Sequence, residues 1–250
     1  TEFIIPTGYG ASELKQFLKL AYPNRNFKFI NVTLFEGEGS GLGYTLLKAQ
    51  EFLQAPFIFN SCDTIIKGNI PNLESNWIGF SHRKNILEYR TIIEKDGLVK
   101  LIHDKNEIGS SEKVYIGLAG IKDYKIFWNN VNANSKDFIA QGESFGLKNL
   151  LNKNIKAINF NWFDTGNPAE LKKTRESFKK KEKHNILEKQ GESIWFVNNK
   201  VIKYSKDEEF IKNRVKRSKL LQDFVPSIIN STTNMYSYFK EEGEILSSNL

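Results

Sequence analysis

Short apolar runs alternating with helix-length amphipathic segments constrain this chain more than any other feature. Phe3-Ile4-Ile5 is apolar and closed by Pro6-Thr7-Gly8, the pattern of a buried strand with a loop at its carboxyl end. Ser12 can cap the helix that follows, in which Leu14, Phe17, Leu18 and Ala21 form an apolar stripe. Pro23-Asn24 interrupts it, and Lys28–Val32 reads as the next strand. After the glycine-rich stretch Gly37–Gly43 a helix runs through Leu46, Leu47, Gln50 and Leu53, and Ala55-Pro56 ends it before the strand Phe57–Asn60. Strands separated by helices in this way predict an α/β domain with a mainly parallel sheet flanked by helices.

Longer strands follow at Trp77–His82, Tyr89–Lys95, Val99–Asp104 and Lys113–Leu118, and Asp96-Gly97 between two of them is a hairpin signal. The sheet is therefore expected to be mixed, with an antiparallel excursion beside a parallel core. Helices near Asp123–Asn130 and Ser144–Leu151 lead to a strand at Ile155–Phe160. Asn167 then caps a helix with Pro168 in its first position and Glu170 placed to close a capping box. That helix runs into Lys179-Lys180-Lys181-Glu182-Lys183, a polar linker, which divides the chain into domains at 1–183 and 184–250.

Composition narrows the class. Hydrophobic residues make up 40% of the 250, enough to build a core, so global disorder is excluded. No apolar run approaches the ~18 residues of a membrane span. The single cysteine, Cys62, excludes an intrachain disulfide and a four-thiolate metal site, and the amino terminus lacks a signal-peptide pattern. Together these point to the cytoplasm. The net charge of +7 is concentrated in Lys172–Lys183 and Lys212–Lys219, which read as solvated helix faces. No zinc-finger spacing or RNA-binding module accompanies it, so nucleic acid is not an expected partner.

Two carboxylates stand out. Asp63 follows the apolar strand that ends in Asn60-Ser61-Cys62, and Asp164 lies between a strand and a helix in Trp162-Phe163-Asp164-Thr165-Gly166-Asn167-Pro168. Open α/β sheets bind ligands at the carboxyl ends of strands. If these ends converge, the pair can share a magnesium ion, whose remaining oxygen ligands phosphate can supply. Aspartates at strand ends also serve as turn formers and caps, and pattern alone does not choose. Glu36-Gly37-Glu38-Gly39-Ser40-Gly41-Leu42-Gly43 can face a phosphate with its backbone N–H groups, or can simply turn tightly; it is neither a P-loop nor a dinucleotide fingerprint. Cys62 reads as a small buried residue, and His82, His103 and His184 have no metal-ligand spacing.

In this order the segments resemble the nucleotidyltransferase superfamily that activates sugar phosphates and phosphocholine, over about residues 1–183. The loop Thr7-Gly8-Tyr9, the segment Ser40-Gly41-Leu42-Gly43-Tyr44-Thr45-Leu46, the Asn60-Ser61-Cys62-Asp63 turn, Ile102-His103-Asp104-Lys105 and Trp162–Pro168 carry the resemblance. It implies a Rossmann-like, GT-A-like fold with Mg²⁺ held by Asp63 and Asp164. Nucleotide contacts would come from Gly8, Ser40, Gly41 and Asp63. Lys105, Glu143 and Trp162 would lie on the acceptor side, with Lys105 holding the attacking phosphate. Asn106 stands where the family carries proline, and Ser-Cys replaces the usual small residues before Asp63. The implied reaction is attack of a substrate phosphate on the α-phosphorus of CTP or UTP with release of pyrophosphate, in making precursors of surface polysaccharide or lipid head groups. Trp162 or Tyr115 could bind a quaternary ammonium by cation–π attraction or could be core aromatics. The family's first strand and glycine-rich phosphate loop have no counterpart here, so a parent with residues upstream is expected, the chain as written being a poor catalyst. The competing expectation is a binding or scaffold protein that keeps the fold without the chemistry.

The second segment predicts a small antiparallel sheet with one helix: strands near Ile194–Val197 and Lys200–Tyr204 joined at Asn198-Asn199, a helix from Asp207, and strands near Ser227–Ile229 and Met235–Lys240. It resembles the amino-terminal lobe of the choline kinase and aminoglycoside phosphotransferase superfamily. The resemblance makes Lys203 and Glu209 an ATP-site pair and Glu242–Leu246 a hinge, and it implies a bifunctional parent that uses ATP in its complete kinase-like domain.

Overall fold

The computed structural model describes residues 1–107, 111–178 and 189–241. The linker lysines, His184 and the hinge-like segment at 242–246 lie outside the described residues. The chain forms two compact units, one made of Thr1–Asn31 with Glu182–Leu250 and the other of Val32–Lys181.

In the first unit, β1 (Glu2–Thr7), α1 (Ala11–Ala21) and β2 (Asn26–Asn31) make a βαβ unit whose strands pair in parallel, Glu2 opposite Asn26 through Thr7 opposite Asn31. Ser12 does not cap α1: Gly10 holds the cap position with a left-handed φ of 68°. The stripe of α1 that buries is Phe17, Leu20 and Ala21, and it packs with Ile202, Met235 and Trp195 of the carboxyl-terminal segment. Leu14 stays 40% exposed. A division at residue 183 alone would separate these partners; contacts group residues 1–31 with the carboxyl-terminal sheet.

The second unit opens with α2 (Leu42–Ala49), extended by a 3₁₀ turn to Phe52, then β3 (Phe57–Asn60), β4 (Thr64–Lys67), β5 (Trp77–His82), β6 (Thr91–Lys95), β7 (Leu98–His103) and β8 (Lys113–Ile121). Helices α3 (Tyr124–Ala133), α4 (Ser135–Gln141) and α5 (Glu143–Lys148) precede β9 (Lys156–Asn159), β10 (Asn161–Asp164) and α6 (Pro168–Phe178). Six strands form one sheet in the order β3-β8-β5-β9-β7-β6, while β4 and β10 pair separately.

The sheet is mixed, as expected, but it is not mainly parallel in its pairings. Only β5 and β9 are parallel neighbours, because β8 runs backwards between β3 and β5 and the β6–β7 hairpin closes the far edge. Asp96 and Gly97 turn that hairpin with φ of 54° and 76°, the left-handed pair that a two-residue turn requires. Strand alternation splits β8 between two cores. Val114, Ile116 and Leu118 join Trp77, Phe160 and Trp162, whereas Tyr115, Ala119 and Ile121 join Phe57, Ile78, Phe127 and Phe138.

The remaining elements of the first unit are β11 (Glu192–Val197), β12 (Lys200–Ser205), α7 (Glu208–Leu220), β13 (Ile228–Ser231) and β14 (Met235–Phe239). They build an antiparallel sheet in the order β11-β12-β14-β13. Asn198 turns the first hairpin with φ 54°, and the Asp207 side chain caps α7 by accepting from Phe210 N at 3.0 Å. Among the described residues no helix is long and apolar enough to cross a membrane.

Candidate functional site

A cavity of about 630 Å³ opens in the second unit, and the two aspartates lie in its wall. Asp63 sits in the turn from β3 to β4, and Asp164 ends β10, directly across from Thr64. The pairing of two four-residue strands is what brings the carboxylates together. Thr165 reinforces it by donating from both its backbone N and its hydroxyl to Asp63 O, each at 2.9 Å. Thr64 in turn donates its hydroxyl to Ile116 O, which ties the turn to β8.

Gly166 lies close to both carboxylates. A Cβ there would stand 3.2 Å from Asp164 Oδ1 and 3.3 Å from Asp63 Oδ2, so the two oxygens are no farther apart than those distances laid end to end. Asp164 Oδ1 accepts from Gly166 N at 2.8 Å and its Oδ2 from the Tyr89 hydroxyl at 2.7 Å. Asp164 is buried, and the Thr174 hydroxyl holds its backbone oxygen at 2.7 Å. Two converging carboxylates with open space for further oxygen ligands fit magnesium, which keeps waters and takes phosphate oxygens. Among the described residues no cluster of three or more His, Cys, Asp or Glu is placed to hold a metal.

Lys105 lines the same cavity and enters no ion pair among the described residues. Its neighbour Asp104 is engaged by Lys148 at 2.6 Å and Arg90 at 3.4 Å. Partial burial works to raise the Asp104 pKa, but these cations outweigh it and hold the carboxyl below its ordinary range. Arg90 also donates to Gln141 O at 2.7 Å, just ahead of Glu143.

Glu143, Tyr115 and Trp162 complete the inner wall. All three are buried; Glu143 and Tyr115 interact with each other, and Trp162 Nε1 has no hydrogen-bond partner among the described residues. Burial raises the pKa of Glu143, with Arg90 opposing it, and burial together with the Glu143 charge pushes Tyr115 well above the usual phenol value. Trp162 is not a free aromatic face. The Arg83 guanidinium covers one side of its ring at 4.6 Å, and Tyr89 packs edge-on at 5.5 Å.

Other candidate positions fall elsewhere. Leu42 lines the cavity, whereas Ser40 and Gly41 precede α2 and are not part of its wall. Part of the glycine pattern there serves packing, since a Cβ on Gly43 would run into Phe138 O of α4. Gly8 belongs to the first unit. In that unit Lys203 stands over the Tyr238 ring at 5.6 Å, and Glu209 pairs with Lys212 at 3.3 Å; no ion pair among the described residues joins Lys203 to Glu209. Cys62 is exposed, not buried as expected. Sequence reasoning missed Tyr89, Arg90 and Arg83, which sit on a connection without any motif.

Comparison with solved structures bears on the fold. The chain shares its fold with nucleotidyltransferases that act on sugar phosphates and phosphocholine. A UDP-glucose pyrophosphorylase superposes with TM-score 0.59 at 13% identity, covering 71% of this chain and 80% of that one. The CTP:phosphocholine cytidylyltransferase of Streptococcus pneumoniae gives 0.56 at 16% identity, covering 71% and 78%. The inositol-1-phosphate CTP transferase of T. maritima gives 0.53 at 12%, covering 70% and 74%. No protein-family model and no curated protein sequence matches the chain.

Proposed function

We propose that this protein transfers a nucleotidyl group from CTP or UTP to a small phosphorylated acceptor, releasing pyrophosphate. The observation that carries the reading is the convergence of Asp63 and Asp164 over Gly166 in a cavity that also holds Lys105. In the reaction an acceptor phosphate oxygen attacks the α-phosphorus and the bond to the pyrophosphate leaving group breaks, with no covalent enzyme intermediate. Magnesium bound by Asp63 and Asp164 would supply positive charge against the triphosphate. Lys105, exposed in the cavity wall, is suited to hold the acceptor phosphate. Holding both reactants in one cleft supplies much of the acceleration expected of such an enzyme.

The inner wall favours a sugar phosphate over phosphocholine. The Glu143 carboxyl group and the Tyr115 hydroxyl belong to side chains that line the cavity, and their chemistry suits sugar hydroxyls. A quaternary ammonium needs an open aromatic face, and Arg83 already covers one face of Trp162. The test is pyrophosphate release with magnesium, each of CTP and UTP, and a panel of sugar phosphates beside phosphocholine. Release with a sugar phosphate supports the reading, release with phosphocholine alone overturns the acceptor assignment, and no release with any pair overturns the activity.

For residues 184–250 we propose the amino-terminal lobe of a small-molecule kinase. Its four-stranded antiparallel sheet with α7, and Lys203 on a central strand, support that reading. Weaker ATP binding by Lys203→Ala would bear on it directly; unchanged binding would remove it.

A further inference from the structure

The connection between β5 and β6, residues 83–90, carries no motif but is tied to both sides of the cavity. On one side the Tyr89 hydroxyl donates to Asp164 Oδ2 at 2.7 Å, while Gly166 N donates to the other oxygen of the same carboxylate. On the other side Asn106 N donates to Leu87 O at 3.2 Å and Arg90 meets Asp104 at 3.4 Å, both immediately beside Lys105. Arg83 anchors the start of the connection, stacked on Trp162 and 3.7 Å from Glu170 of α6.

Tyr89 is itself constrained. Its ring packs edge-on against the buried Trp162 at an interplanar angle of 83°, which holds the ring that carries the hydroxyl. A carboxylate turns easily about its last torsion, which is broad for aspartate. Two donors, one to each oxygen, stop that rotation. Each oxygen keeps a further acceptor position after one hydrogen bond, so the carboxylate stays able to bind a cation.

We propose that Tyr89 is a positioning residue whose hydroxyl fixes the Asp164 carboxylate for a divalent cation shared with Asp63. The inference rests on the reading of Asp63 and Asp164 as a cation-binding pair. Hydrogen-bonding partners of metal-binding carboxylates orient them, and their loss commonly weakens metal affinity. Tyr89→Phe keeps the ring against Trp162 and removes only the hydroxyl.

The test is titration of the chain with Mn²⁺, following the free-ion electron paramagnetic resonance signal, with thermal unfolding of every variant as the fold control. Tyr89→Phe should raise the Mn²⁺ dissociation constant by about 10-fold at an unfolding midpoint close to that of the wild type. Arg83→Ala, which uncovers Trp162 but leaves the Tyr89 hydroxyl in place, should keep Mn²⁺ affinity within about twofold. Equal losses in Tyr89→Phe and Arg83→Ala would show that packing of the segment carries the effect, and would overturn the inference. So would wild-type affinity in Tyr89→Phe when Asp164→Asn weakens binding, an outcome that leaves the cation pair standing. Wild-type affinity in both Asp63→Asn and Asp164→Asn would remove the pair, and the role of Tyr89 with it.

Discussion

Asp164 combines burial, two donors on its carboxylate and a third on its backbone oxygen, so its side chain is held before any ligand arrives. Asp63→Asn and Asp164→Asn should each weaken Mn²⁺ binding, and the double variant should lose less than the two losses combined, because both groups act on one ion. Glu143 poses the opposite problem. Burial raises its pKa above the value in an unfolded chain, so its contribution to stability is complete below the unfolded value and is lost as pH rises through the folded one. Glu143→Gln, which cannot ionise, should therefore unfold at a higher temperature than wild type at neutral pH, with the gap closing as pH falls through the carboxylate range. Melting curves from pH 4 to pH 8 decide it; a gap that widens on acidification would contradict the assignment.

At the scale of elements, α6 shows how a local signal becomes site geometry. Asn167 Oδ1 accepts from Glu170 N at 2.9 Å, which caps the helix immediately after Asp164. Asn167→Ala should cost about 1 kcal/mol, read as a lower denaturant midpoint with an unchanged slope. That cap, the Asp96-Gly97 turn and the strands at Phe57–Asn60 and Trp77–His82 were legible because each is encoded within a few residues. Glu170 did not close a capping box; it turned to Lys173 and Arg83 instead. The four-residue strands β4 and β10 were not legible, since Thr64–Lys67 and Asn161–Asp164 become strands only by pairing across about a hundred residues of chain. The same pairing makes the site: residue pattern alone nominated Asp63 and Asp164, and only the family resemblance joined them. Tyr89 and Arg90 had no signal at all, being defined wholly by what folds against them.

For the whole molecule, the division into units follows side-chain burial more than chain order. Phe17, Leu20 and Ala21 of α1 share a core with Ile202 and Met235, which lie 181 to 218 residues later in the chain. Ile202→Ala should cost about 2–5 kcal/mol of that unit's stability. Amide exchange should then quicken in α1 as well as in β11, β12 and β14; quickening confined to the carboxyl-terminal strands would contradict the shared core. In the other unit two aspartates are brought together, and their proposed use is nucleotidyl transfer. Its most direct test is pyrophosphate release by Asp164→Asn with magnesium and saturating substrates, against wild-type protein. The account predicts a fall of about 10²–10³ in rate with the fold intact, whereas near-wild-type release would show that the carboxylate only shapes a turn.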